Sequence, residues 1–359
     1  MPEPLKNCFS EGFVRQVAQY CQENDPKFER QRFVDNVLID DWQTLELKQR
    51  MNRIAEVLGY YLPNEYPEAL DILLPVASKF TGLAHMCFPE FVEQHGLEYF
   101  EISMQALETL TEGSTSEFAI RPFILRSPEK AMKQMAKWSK SNNKHVRRLA
   151  SEGCRPRLPW AMALPEFKQE PQPVLNIILP LINDDSLYVR RSVANNLNDI
   201  SKDHPEKIVE IASQYLGQSK NVDWVIKHAC RGLLKQGHPQ VLSLFGYSKA
   251  EHIAISDFIV DQSVNLGERL NFEFALNSKR SKLGKLRLEF MIDFMKANGK
   301  QSGKVFKISE GDYTDSSKTI TKSFSFRPIT TRKYYLGKHR ISVVINGETA
   351  ATKEFNLIA

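Results

Sequence analysis

NDDSLYVRRSVANNLNDI, from Asn183 to Ile200, is the stretch whose reading decides the fold. A polar turn leads into a Val-Arg pair, and Val189, Val193, Leu197 and Ile200 then recur at the spacing that brings residues onto one face of an α-helix. The apolar stretch PVLNIILPLI precedes it and PEKIVEIASQYL follows it. Two further segments superpose on it: HVRRLASEGCR from His145 and WVIKHACRGLL from Trp224. Their valines, Val146, Val189 and Val225, lie 43 and 36 residues apart.

Such periods are those of helix-pair repeats of the HEAT type, in which the second helix opens with a Val-Arg-like pair after a polar turn. Further toward the N-terminus the spacing stays helical. Ser10 is placed to cap EGFVRQVAQYC, LELKQRMNRIAEVLGYYL runs as a long helix to Pro63, and Tyr66 to Phe80 forms another. The expectation is a multi-domain chain whose residues 1–245 form an all-α HEAT-like repeat solenoid.

After Ser248 the period changes. LNFEFALNS, KLRLEFMIDFM, KVFKISEGDY, TITKSFSF, HRISVVING and TKEFNLI alternate or are rich in β-branched and aromatic residues, and Asn346-Gly347 suits a two-residue hairpin turn. Six or seven short strands predict an all-β immunoglobulin-like sandwich over residues 250–359.

A chain of 359 residues has room for two or three cored domains. Its formal charge of +5 is uneven: from Gly246 onward 19 Lys and Arg face 12 Asp and Glu, so this part carries +7 and the remainder −2. Five scattered cysteines without a CxxC pair read as reduced thiols. The opening MPEPLKNCFSEGF lacks the pattern of a leader, and the apolar runs are too short to cross a bilayer, so the expected location is the cytoplasm, with no membrane partner. No Walker loop, GxGxxG after a strand or HExxH occurs, and the eight histidines are dispersed; neither a cofactor nor a metal is expected.

The helical alignment also makes a chemical statement. Opposite the apolar stripe lie Arg191, Asn195, Asn198, Asp199 and Lys202, and the equivalent side of the other repeats carries Arg148, Glu152 and Arg155, then Lys227 and Arg231. Stacked helices would turn these into a basic ribbon able to follow a duplex backbone. The plain alternative is an ordinary solvated face, with Arg148 and Glu152 an i, i+4 pair. Carboxylates disfavour phosphate, so Glu152, Asp199 and Glu117 call for a reason, and stabilising a cationic centre while orienting water is one. Trp160 offers either a flat stacking surface or packing between helices.

SEFAIRPFILRSPEKAMKQMAKWSKSNNKHVRRLASEGCRPRLPWAMAL, from Ser116, followed by SLYVRRSVANNLNDISKDHPE, from Ser186, resembles the DNA alkylation repair glycosylases of the AlkC type, relatives of the AlkD family. GCRPRLPW and VRRSVANNLNDI are the most specific portions, and the likeness runs through most of residues 1–245. The resemblance implies a monofunctional DNA glycosylase that hydrolyses the bond between deoxyribose and a cationic N3-alkylated base, such as 3-methyladenine or 3-methylcytosine, in alkylated double-stranded DNA. It implies action without turning the nucleotide into a deep pocket. On this resemblance Glu117, Glu152 and Asp199 are the catalytic carboxylates, Arg148 holds a backbone phosphate and Trp160 contacts the lesion nucleotide; Arg121, Arg147, Arg191 and Lys227 are further backbone contacts. A C-terminal Ig-like domain accompanies some members, and here SKRSKLGKLR (278–287) and TTRKYYLGKHR (330–340) would let it clamp the duplex. No obligate protein partner is implied, and the protein would sit on the nucleoid when bound to DNA. Two other functions suit the same solenoid: a non-catalytic HEAT-repeat binder of damaged DNA, and a protein-interaction scaffold.

Overall fold

A computed structural model describes residues 3–39, 41–329 and 332–359; Thr330 and Thr331, which open the second basic segment, lie outside the described residues. Among the described residues sixteen α-helices precede eight β-strands, the change falling between helix Pro239–Leu244 and strand Ile253–Val260. Packing divides the chain into two compact units, Met1–Asp203 with Gly217–Ala229, and His204–Leu216 with Cys230–Ala359. Helices Pro205–Tyr215, Arg231–Lys235 and Pro239–Leu244 thus belong by packing to the unit that contains the strands. None of the described helices is long and apolar enough to cross a membrane.

In the first unit local chemistry starts the helices where expected. Ser10 Oγ accepts from Phe13 N at 3.1 Å to cap Glu11–Asn24, and Glu46 with Gln49 forms a capping box for Leu47–Tyr61. The helix from Tyr66 ends at Ala77, three residues before the expected Phe80, with Pro75 in its last turn. The repeat helices are Lys144–Gly153, Leu187–Ile200 and Lys220–Ala229, and the second packs against both others. Val146, Val189, Val193 and Val225 are buried as the period demands, each such side chain contributing about 1.5–3 kcal/mol. Polar ties join the helices too: Ser192 Oγ bonds Ser151 Oγ at 2.9 Å, and Asn196 Nδ2 donates to Ser151 O at 2.8 Å. Cys21, Cys87, Cys154 and Cys230 are buried free thiols and Cys8 is partly exposed.

The second unit's strands are β1 Ile253–Val260, β2 Ser263–Asn265, β3 Arg269–Ser278, β4 Gly284–Met295, β5 Gln301–Tyr313, β6 Ser317–Ser325, β7 Gly337–Ile345 and β8 Glu348–Ile358. They form an Ig-like arrangement of a three-stranded sheet, β1-β3-β6, and a five-stranded sheet, β2-β8-β7-β4-β5. Neighbours pair antiparallel except β2 with β8. The described residues hold eight strands where six or seven were expected. β1 breaks alternation at Asp257, whose φ is +51° beside a register shift, and β2 has only three residues, so neither shows a clean period. Leu270, Phe272, Phe274 and Leu276 from one sheet meet Leu288, Phe290, Ile292 and Phe294 from the other in the core. Asn346 and Gly347, with φ of +48° and +82°, make the hairpin turn between β7 and β8.

Candidate active site

Glu117 stands just ahead of helix Ile120–Arg126, Arg148 and Glu152 lie one turn apart on Lys144–Gly153, and Asp199 is near the end of Leu187–Ile200. The fold joins them into a chain of alternating charge. Arg148 bonds Glu117 and reaches Glu152 Oε1 at 3.6 Å. Arg155 bonds Glu152 Oε1 at 2.6 Å and donates from Nε and Nη2 to Asp199 Oδ2 at 2.8 and 2.7 Å; Lys202 Nζ closes the row on Asp199 Oδ1 at 3.0 Å. Thr115 Oγ1 accepts from Arg148 Nη1 and donates to Glu117 Oε2. Arg148 also stacks over Tyr188, 5.0 Å from the ring centre.

Burying an ion costs several kcal/mol unless an opposite charge meets it in good geometry, and here each carboxylate has one. Burial disfavours the charged guanidinium of Arg148, but Glu117 and Glu152 outweigh it and its pKa lies above the usual value; Arg155 is raised likewise by Glu152 and Asp199 against burial. Both guanidiniums therefore stay charged.

The expected basic ribbon is corrected by this geometry. Arg148 and Arg155 are not spread on a solvated face, and Asn198 and Asp199 are buried, because Arg148, Glu152, Arg155, Asp199 and Lys202 pair with one another and with Glu117 within the unit. The expected backbone contacts divide as well. Arg121 is 0% exposed; its guanidinium donates to the carbonyls of Met162, Gly153 and Arg155 at 2.7 to 3.0 Å, and burial brings its pKa down to about 10. It presents nothing to a duplex and serves as an internal brace. Arg147 is similarly committed, bidentate to Asp184 and donating to Ser141 O and Asn142 O. Its repeat equivalent Arg190 donates to Asp184 O and Asp185 O, so the first arginine of the VRR pair closes the preceding turn. Arg191 is exposed, and Lys227 is partly buried.

One end of the ionic chain opens into a cleft of about 330 Å³. Glu117, Glu152, Arg155, Lys48 and Trp160 line it together with Phe9, Met51, Met86, Phe118 and Leu158. Two of the three expected carboxylates thus meet in one concavity. Asp199 stands behind Arg155, with both oxygens engaged. Trp160 does not pack between helices: it is 63% exposed and has φ of +65°. A bulky residue in the left-handed region carries a strain of about 1–2 kcal/mol, which burial of this ring does not offset. Its carbonyl accepts from Lys48 Nζ at 3.1 Å.

Sequence reasoning placed Arg155 on the polar face without giving it a role, although its position three residues after Glu152 was a usable signal. Thr115, two residues before Glu117, had no pattern to mark it. Lys48 had no signal at all, since 112 residues separate it from Trp160.

The DNA alkylation repair enzyme family matches residues 113–233, and the C-terminal Ig-like domain of uncharacterised protein YhaZ matches residues 254–359. Uncharacterized protein YhaZ of Bacillus subtilis (strain 168) is 46% identical over 355 residues, covering 98% of this chain and 99% of that one. The alkylpurine DNA glycosylase AlkC of Pseudomonas fluorescens, solved bound to DNA containing an abasic site analog, is 36% identical, superposes with a TM-score of 0.95, and covers 99% of this chain and 100% of its own. A helical alkylation-repair region joined to an Ig-like domain, alike over nearly the full length of both proteins, places the chain in the AlkC family of DNA alkylation repair proteins.

Proposed function

We propose that this protein is a monofunctional DNA glycosylase that removes cationic N3-alkylated bases, 3-methyladenine and 3-methylcytosine, from duplex DNA without drawing the nucleotide into a deep pocket. The observation that carries the reading is the convergence of Glu117 and Glu152 in a cleft whose mouth holds the exposed Trp160. The Pseudomonas relative, an alkylpurine DNA glycosylase, supports it.

An N3-alkylated base carries positive charge, so when the bond from C1′ to the base nitrogen breaks, the electron pair returns to the base and it leaves neutral. Positive charge passes to the sugar. Preformed carboxylates stabilise this oxocarbenium-like centre without reorganising, and one of them accepts a proton from the water that adds to C1′. Glu117 and Glu152 hold these roles, and Asp199 orients Arg155 behind them. Because Arg148 already bridges Glu117 and Glu152, a phosphate drawn to Arg148 would weaken that bridge and leave more negative potential at the cleft; substrate backbone and catalytic carboxylates then share one cation. Trp160 meets the lesion nucleotide, Arg191 and Lys227 take flanking backbone, and the Ig-like domain holds the duplex through the exposed cations of its two basic segments, Arg287 being buried.

The test is release of free 3-methyladenine and 3-methylcytosine from methylated duplex DNA by the wild type and by Glu152→Gln. Release by the wild type with a large loss in the variant supports the carboxylate mechanism. A folded wild type that binds the duplex and releases neither base leaves the non-catalytic damage binder as the better reading.

A further inference from the structure

The turn that presents Trp160 raises a question of support. Its φ of +65° is unfavourable for a bulky side chain, and its ring is mostly in solvent, so contacts of the backbone must hold it. Two cations grip the segment. Arg121 takes the Met162 carbonyl at 2.7 Å on the C-terminal side and the Gly153 and Arg155 carbonyls before it. Lys48 takes the Trp160 carbonyl itself at 3.1 Å.

Lys48 is held in place from several sides. It belongs to the first turn of helix Leu47–Tyr61, which the Glu46–Gln49 capping box anchors. Its ammonium lies 5.3 Å from the centre of the Phe118 ring, next in sequence to Glu117, and the carboxylates of Glu90 and Glu93 are within electrostatic reach. One ammonium therefore couples the Trp160 turn, the cleft wall beside Glu117 and an acidic pair on helix Cys87–His95.

We infer that Lys48 is a positioning residue for Trp160: by holding the Trp160 carbonyl it keeps the left-handed turn formed, with the indole turned out at the mouth of the cleft, before any DNA is bound. The inference rests on the proposed contact of Trp160 with the lesion nucleotide for its functional meaning, though the grip on the turn stands apart from it. Pre-forming the turn removes an ordering cost from binding. Lys48 uses one of its three donors on the carbonyl, so the competing role is direct contact with a phosphate, and a double-mutant cycle separates the two.

The experiment measures affinity for a duplex carrying an abasic-site analogue in the wild type, Lys48→Met, Lys48→Arg, Trp160→Ala and Lys48→Met with Trp160→Ala. Alongside, time-resolved fluorescence anisotropy of the free proteins isolates Trp160 by difference from versions carrying Trp160→Phe. Lys48→Met is expected to weaken binding roughly three- to tenfold, the scale of one hydrogen bond, and to increase the fast local motion of the indole. Lys48→Arg, which still donates to the carbonyl, retains wild-type affinity and motion, and Lys48→Met has no further effect once Trp160 is Ala. An undiminished loss in the Trp160→Ala background, or unchanged indole motion in Lys48→Met, overturns the inference. Should the protein bind no DNA, the functional reading fails, while the anisotropy comparison still decides whether Lys48 holds the turn.

Discussion

The helical unit buries Glu117, Glu152, Arg155, Asp199 and much of Arg148, and the β-sandwich buries Arg287, Glu289 and much of Glu310. Both sets alternate in sign, at hydrogen-bond distance except for the 3.6 Å from Arg148 to Glu152; Arg287 meets Glu289 at 2.6 Å and Glu310 at 2.8 Å, and Lys307 joins Glu310 at 2.8 Å. The difference is access. Glu289 is 0% exposed and its neighbours close over it, whereas Glu117 and Glu152 line a cleft. Buried charge by itself is thus a poor marker of function, and a carboxylate matters chemically where a reacting group can reach it. Where nothing can reach, the same interaction only secures how β4 and β5 pair.

The comparison is most exposed to failure at its two glutamates. Glu152→Gln should lower base release at least about 100-fold, the scale on which general-base and electrostatic groups act. Glu289→Gln should leave release per folded molecule unchanged and reduce unfolding free energy by about 3 kcal/mol, read from denaturant titration, because Arg287 then keeps a buried charge with a weaker partner. Comparable losses of specific activity from both substitutions would erase the distinction.

Glu93 sharpens the comparison as a largely buried acid without a matched cation. Burial first, then Glu90, pushes its pKa up to about 8 from 4.5, with Lys48 opposing. Between those values the unfolded chain has released the proton that the folded protein retains, so folding loses stability as pH rises through the window. Glu93→Gln should therefore gain over the wild type from pH 5 to pH 8, by an amount of order 2 kcal/mol, in denaturation curves taken at each pH. A gain that shrinks with pH would show that Glu93 is ionised and well paired. The smallest effect is expected at Arg191, exposed on the repeat helix Leu187–Ile200: Arg191→Ala should reduce the slope of log affinity against log salt by about 0.9, as for one phosphate contact, and an unchanged slope removes it from the interface.

Much of the fold was legible because short-range patterns carry it. The recurring valines marked the repeat helices, Ser10 marked a helix start, and Asn346-Gly347 marked a hairpin whose positive φ values few other residues adopt. β1 and β2 escaped because a bulged strand and a three-residue strand have no period to read. Within the candidate site, Glu117 and Glu152 were legible through family resemblance and helix spacing, which says that residues share a face and leaves open what covers that face. Arg121 and Arg147 looked like surface cations for that reason; distant carbonyls and Asp184 claim them.

By itself, then, the sequence determined the helical repeats, the change to strands after Ser248 and the residues able to carry charge at the repeat face, all of which depend on neighbours within a turn or two of the chain. Tertiary structure alone decided which charges are spent on each other, that Asp199 stands behind Arg155, and that Lys48 holds Trp160. Electrostatic and hydrogen-bond partners are chosen by distance in space, and segments up to 112 residues apart reach that distance only when the chain has folded.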